Sequence, residues 1–381
     1  MSKDLNAHLF GPGPKRILAL DGGGIRGILT LQMLARIEKI LRKRTGDENT
    51  VLSDYFDLIG GTSTGAIIAS ALALGWPVSR INKLYLEFGN DIFQSSFFRM
   101  GLLRPKFSAK AVREGLKREY GDICLGGPEV KTGLGIVVKR IDTGSPWIIH
   151  NNPKGMYFNE IAGSRSTANK DYLLRQVVRA SSAAPTYFEP ELINVTSDMQ
   201  GAFVDGGVSP YNNPALQLLM LAALKNHGLN WPVGSDKIQI VSLGTGTKTL
   251  AMEQEKVMKM SAAELGVRGL SSLMDDNAAL NEQLLQWMSD SPTARSIDSE
   301  VGDLSSDFLG GGTPLLTYLR YNVEFDTAWL KDHLNVDYSM EQLESIAEMD
   351  KPQNMDDLTD IGKAACILIK EEHFGKQFDI G

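Results

Sequence analysis

Arg16-Ile17-Leu18-Ala19-Leu20-Asp21-Gly22-Gly23-Gly24-Ile25-Arg26-Gly27 runs from an apolar segment through an acidic residue into three consecutive glycines. The apolar run has the length of a buried strand, and the glycines mark a tight turn. Directly after it, Ile28, Leu31, Leu34, Ile37 and Leu41 recur at helical steps, with Arg36, Glu38, Lys39 and Arg42 elsewhere, so one face of a helix is apolar. The unit is strand, glycine turn, helix. It repeats in outline further on: Tyr55 to Ile59 is strand-like, Gly60 to Gly65 a turn, and Ala66 to Leu74 a small-residue helix. Such alternation predicts an α/β fold with a mostly parallel sheet flanked by helices.

Working outward, further strands are predicted at Gly135 to Arg140, Ala202 to Val204 and Lys237 to Leu243, with helices at Tyr172 to Ala180 and Ala215 to Asn226. The α/β pattern fades near residue 250. Beyond it come a helix-prone stretch through Met288, a turn at Gly310 to Gly312, a strand-like Tyr318 to Val323 and a helical tail from Met340 to Glu372. The expected division is a catalytic domain over 15–250 and a mainly helical C-terminal extension over 251–381, packed on the core.

The chain has 381 residues, 43% hydrophobic and 22% charged, as in ordinary globular proteins. Its formal net charge of −7 argues against binding a nucleic-acid polymer. Two distant cysteines, Cys124 and Cys366, make neither a disulfide framework nor a thiolate metal site and favour a reducing, cytoplasmic setting. The first eight residues lack the apolar stretch of a signal peptide. The most apolar window, Ile67 to Trp76, is about half of the ~20 residues a spanning helix needs, so any membrane contact is expected to be peripheral. Two stretches are candidates for it: Ile92 to Leu103, and Leu284 to Met288.

Three motifs carry chemistry. Gly61-Thr62-Ser63-Thr64-Gly65, between a predicted strand and helix, matches a nucleophile elbow with Ser63 as the nucleophile and Gly61 and Gly65 relieving the crowded backbone. Asp21 to Gly27 matches the letters of a dinucleotide fingerprint, but no second strand leads to an acidic residue ~20 positions on. No Gly-Lys-Ser/Thr follows, which excludes a P-loop. An oxyanion hole fits: the amides of Gly22, Gly23 and Gly24 approach a tetrahedral intermediate, and Arg26 adds positive potential. The third motif is Asp205-Gly206-Gly207 after Ala202-Phe203-Val204, where Asp205 could serve Ser63 as its base. His227, His333 and His373 follow it, but each reads as a surface histidine, so a Ser–Asp dyad is favoured over a triad.

These motifs, in this order, resemble the patatin-like phospholipase family. Arg179-Ala180-Ser181-Ser182-Ala183-Ala184-Pro185-Thr186-Tyr187-Phe188 is also similar to the family's segment upstream of its aspartate. The match covers roughly residues 15–215. It departs at Gly207, where the family often has alanine. The resemblance implies a three-layer patatin-like fold, Ser63 as nucleophile, Asp205 as base, an oxyanion hole around Gly23 and Gly24, and no metal or cofactor. It implies phospholipase A-type cleavage of membrane glycerophospholipids through an acyl-enzyme, at the inner membrane surface. The layout, with Arg320-Tyr321-Asn322-Val323 and Met349-Asp350-Lys351-Pro352, is less specifically similar to bacterial patatin-like effectors switched on by cyclic oligonucleotides in anti-phage defence. A constitutive lysophospholipase, acylglycerol esterase or transacylase, and a catalytically idle binding protein, are the alternatives.

Overall fold

Along the first strand, β1 (Lys15–Leu20), every residue is buried, yet alternate side chains enter two different cores. Leu18 and Leu20 pack with Ile28, Leu31, Leu34, Ile37 and Leu41 of the helix Gly27–Thr45. Ile17 and Ala19 face the other way, toward Leu218 and Leu221 of the helix Ala215–Ala223. A strand buried on both faces belongs inside a sheet covered by helices on both sides. Each Leu or Ile so buried contributes about 1.5–3 kcal/mol by leaving water.

The computed structural model describes residues 4–94, 109–185, 187–248, 252 and 254–380. Among them one mixed sheet is formed by β1, β2 (Leu58–Thr62), β3 (Gly133–Arg140), β4 (Ser145–His150), β5 (Glu191–Asn194), β6 (Gln200–Asp205), β7 (Ile238–Leu243), β8 (Ser289–Asp290) and β9 (Leu316–Tyr321). The spatial order is β5-β6-β3-β2-β1-β7-β9-β8, with β4 also on β3. From β3 to β8 neighbouring strands run parallel; β4, β5 and β6 supply the antiparallel pairs. The chain after residue 250 therefore contributes two strands to this sheet. Its helix Met355–Ala365 packs on Gly27–Thr45, where a side chain at Gly362 would approach Leu29 Cα to 3.0 Å.

Three local expectations change. Tyr55 belongs to a helical turn, Leu52–Tyr55, because the Asp54 carboxylate accepts the Val51 N–H at 2.9 Å and closes it. Gly60 and Gly61 lie within β2 rather than in the turn, since a Cβ on Gly60 would meet Leu218 Cδ2 at 2.5 Å. The predicted helical tail is also interrupted: Met340–Ile346 and Met355–Ala365 are separated by a loop ahead of Pro352.

Candidate active site

Register assembles the site. Leu20 pairs with Gly61 and Thr62 with Val137, while Val138 pairs with Asp205, so Asp21, Ser63 and Asp205 gather at one end of the sheet. In open α/β sheets this end, outside the carboxyl ends of the parallel strands, is where ligands bind.

Ser63 sits between β2 and the helix Thr64–Ala73 with φ 56° and ψ −122°, a conformation costing a non-glycine residue about 1–3 kcal/mol. Its surroundings hold it there. The Ser63 N–H donates to Ser181 Oγ at 2.9 Å, and Ser181 Oγ donates in turn to the Val137 carbonyl at 2.7 Å. A Cβ on Gly61 would fall 2.1 Å from the Gly65 carbonyl oxygen, and one on Gly65 would fall 2.2 Å from that of Leu20. The elbow is thus too tight for side chains at either flank.

Ser63 Oγ donates to Asp205 Oδ2 at 2.5 Å, and the Gly207 N–H donates to Asp205 Oδ1 at 2.7 Å. Gly206 lies against β3, where a Cβ would come within 2.5 Å of the Val137 carbonyl oxygen. Burial pushes the Asp205 carboxyl up to about 6, against the pull of the Ser63 and Gly207 hydrogen bonds and the charge of Arg179. A carboxylate so poised can accept a proton near neutrality, which an ordinary aspartate does poorly. No histidine stands behind it among the described residues lining the pocket. His227 packs edge-on to His150, His333 stacks on Trp329, and His373 is hydrogen-bonded to Tyr321.

The glycine loop divides its amides. Gly22 N–H donates to the Asn212 carbonyl at 3.2 Å and Ile25 N–H to the Met349 carbonyl at 3.0 Å. The N–H groups of Gly23 and Gly24 have no acceptor among the described residues, and both glycines line the pocket beside Ser63. Gly22 lines the pocket with them, but its amide is already engaged. The Arg26 guanidinium braces the loop from behind, donating to the carbonyls of Gly23 at 3.4 Å and Ala347 at 3.3 Å. Burial lowers its pKa to about 10.

Partners distant in sequence fix this loop. Tyr85 Oη donates to the Gly24 carbonyl at 2.5 Å and shares a 2.6 Å hydrogen bond with Thr64 Oγ1, tying the loop to the first turn of the elbow helix. Arg320 of β9 donates to both carboxylate oxygens of Asp21, at 3.0 and 2.7 Å. Burial alone would lower the Arg320 pKa, yet the neighbouring carboxylates of Asp21 and Glu282 hold it above its ordinary value. Tyr85 and Asn212 have no motif to announce them, and the stretches that contain Ser181 and Arg320 do not reveal that one braces Ser63 and the other pairs with Asp21.

A cavity of about 580 Å³ opens at Ser63. Its polar end carries Gly23, Gly24, Asp205 and Asn212, and the remainder is mostly apolar. Met349 closes over the loop, within 2.3 Å of where a Cβ on Gly24 would stand. Among the described residues no three His, Cys, Asp or Glu side chains are grouped to hold a metal ion.

The proposed membrane contacts fare unequally. Ile92 to Leu103 lies outside the described residues from residue 95 onward. In Leu284 to Met288, Leu285 is fully buried and Met288 packs on the second core, while Leu284 and Trp287 are half-buried. Among the described residues no helix is long and apolar enough to cross a membrane.

Residues 18–219 match the family model described as patatin-like phospholipase. A cGAMP-activated phospholipase of Escherichia coli is 29% identical over 60% of this chain and 62% of its own length. Patatin-like protein 1 of Arabidopsis thaliana is 32% identical over 69% of this chain and 65% of that protein. A cUMP-AMP-activated phospholipase of Escherichia coli is 29% identical over 80% of this chain and 88% of its own length. The first two matches thus span under two thirds of the relatives' lengths.

Proposed function

The chain belongs to the patatin-like phospholipase family, and from that premise we propose that it is a lipid acyl hydrolase working through Ser63 and Asp205. The observation that carries this reading is the 2.5 Å hydrogen bond between Ser63 Oγ and a buried carboxyl whose pKa is pushed up to about 6. Asp205 takes the Ser63 proton as Oγ attacks the ester carbonyl of a glycerophospholipid. The oxyanion forms against the Gly23 and Gly24 amides and the N-terminus of the elbow helix; each such donor is worth about 10²–10³ in rate. The protonated Asp205 then gives its proton to the departing glycerol oxygen, leaving an acyl-Ser63 ester and a lysophospholipid. Asp205 next takes a proton from water; the hydroxide attacks the ester, and Ser63 leaves with that proton, releasing a fatty acid.

Two relatives named as cyclic-dinucleotide-activated phospholipases favour a finer reading, in which a cyclic nucleotide switches this activity on in anti-phage defence. The contact of Met349 with the glycine loop supports it physically, because a ligand that moves residues 347–350 would change the loop that stabilises the oxyanion. The test is mass-spectrometric product analysis on vesicles of defined phospholipids, with and without a panel of cyclic di- and trinucleotides. Lysophospholipid and fatty acid appearing only with one nucleotide is expected. Equal hydrolysis without any nucleotide overturns the gated reading, and no hydrolysis under any condition overturns both.

A further inference from the structure

The cavity at Ser63 follows one helix. Thr64, Ile67 and Ala71 all line it, and residues three and four apart share a helix face. At ~1.5 Å rise per residue, the eight steps from Ser63 to Ala71 carry this wall about 12 Å from the nucleophile. Ile81 and Leu84 of the helix Val78–Gln94, with Val112 and Leu116 of the helix Ala109–Tyr120, also line the cavity and make it mostly apolar, with Glu119 beside them.

Two aromatic rings belong to the end beyond Ala71. Trp76 follows the elbow helix and stacks on Tyr120, with centroids 5.8 Å apart and an interplanar angle of 9°. The pair is anchored: Tyr120 Oη donates to the Ile67 carbonyl at 3.0 Å, and the Arg80 guanidinium lies 3.6 Å over the Trp76 ring. Tyr120 is almost fully buried, and both residues line the cavity.

We propose that Ala71 and the stacked Trp76–Tyr120 pair form the ruler that sets the length of acyl chain this enzyme accepts, an inference that rests on Ser63 being the acyl-ester nucleophile. The scale agrees. A bilayer's hydrocarbon core of ~30 Å is two acyl chains deep, about 15 Å per chain, close to the roughly 12 Å of helix wall plus the rings that end it. An ester carbonyl at Ser63 places its acyl chain along Ile67 and Ala71 and its terminal methyl against the ring pair. Ala71 is the control point, because its methyl leaves room that a larger side chain would fill.

The experiment compares wild type, Ala71→Leu and Trp76→Ala on p-nitrophenyl esters of graded acyl length, in mixed micelles, with and without the panel of cyclic di- and trinucleotides. The readout is the ratio of kcat/KM for the longest ester to that for the shortest, with thermal melts reporting folding. Ala71→Leu is expected to lower this ratio about 10- to 200-fold, the discrimination a pocket makes over a methylene-sized change. Trp76→Ala is expected to raise it, and that variant decides the matter if Ala71→Leu does not fold. An unchanged ratio in a folded variant that still hydrolyses esters overturns the ruler and leaves the Ser63 reading intact. Absence of ester hydrolysis in the wild type with every nucleotide of the panel overturns both.

Discussion

The chain carries Asp-Gly-Gly twice at the end of a sheet strand, at 21–23 after β1 and at 205–207 closing β6, and the two aspartates differ in what their carboxylates touch. Both are buried almost equally, at 5% and 4% exposure, so burial cannot distinguish them. Asp21 has both carboxylate oxygens on the Arg320 guanidinium and is held as one half of an ion pair. Asp205 has no such partner among the described residues: one oxygen takes the Gly207 amide and the other takes the Ser63 hydroxyl. A fixed counter-charge makes the first a support for the glycine loop. The second, hydrogen-bonded to the Ser63 hydroxyl, is the one we propose exchanges a proton in the reaction.

The difference can be broken from either side. The largest effect is expected from Asp205→Asn, which keeps the shape but cannot take the serine proton; turnover should fall about 10²–10⁴-fold, the share of a general base, with the melting curve little changed. Next comes Arg320→Met, which strands the buried Asp21 carboxylate and should lower unfolding free energy by about 3–5 kcal/mol in urea titrations. Adding Asp21→Asn to it should recover part of that loss. Equal stability loss in Asp205→Asn and Arg320→Met would erase the contrast.

A smaller effect sharpens the comparison through pH. The active form of Asp205 is the carboxylate, so kcat/KM should be level above its pKa of about 6 and decline as the pH drops below it. That decline approaches about tenfold per pH unit. Arg179 favours the carboxylate by its charge, so Arg179→Met should move the midpoint upward. The smallest effect is expected from Tyr85→Phe, which unties Gly24 from Thr64; kcat should fall about tenfold, the weight of roughly one hydrogen bond to a positioned group, with KM nearly constant in steady-state assays.

What the sequence disclosed was local. The glycine loop, the elbow and Asp205 each depend on a short run of residues whose turn chemistry and apolar flanks are readable, and the α/β sheet follows from their alternation. Arg320 acts on Asp21 across 299 positions, and Tyr85 reaches Gly24 across 61; no periodicity encodes either contact. Gly22 and Arg26 looked equivalent to Gly23 and Gly24 by letter. Only the folded backbone engages the Gly22 amide with the Asn212 carbonyl and brings the Arg26 guanidinium to the Ala347 carbonyl. Tyr318 to Val323 was readable as a strand, but its place beside β7 is set by the packing of Tyr318 and Leu319 into opposite cores.

The most direct test of the Ser63–Asp205 pair is the second-order rate of labelling by an alkyl fluorophosphonate, with the modified residue mapped by mass spectrometry, in wild type and Asp205→Asn. Labelling of wild type at Ser63, slowed about 10²-fold or more in Asp205→Asn, is the expected result. Labelling at another serine, or an equal rate in the two proteins, would contradict it.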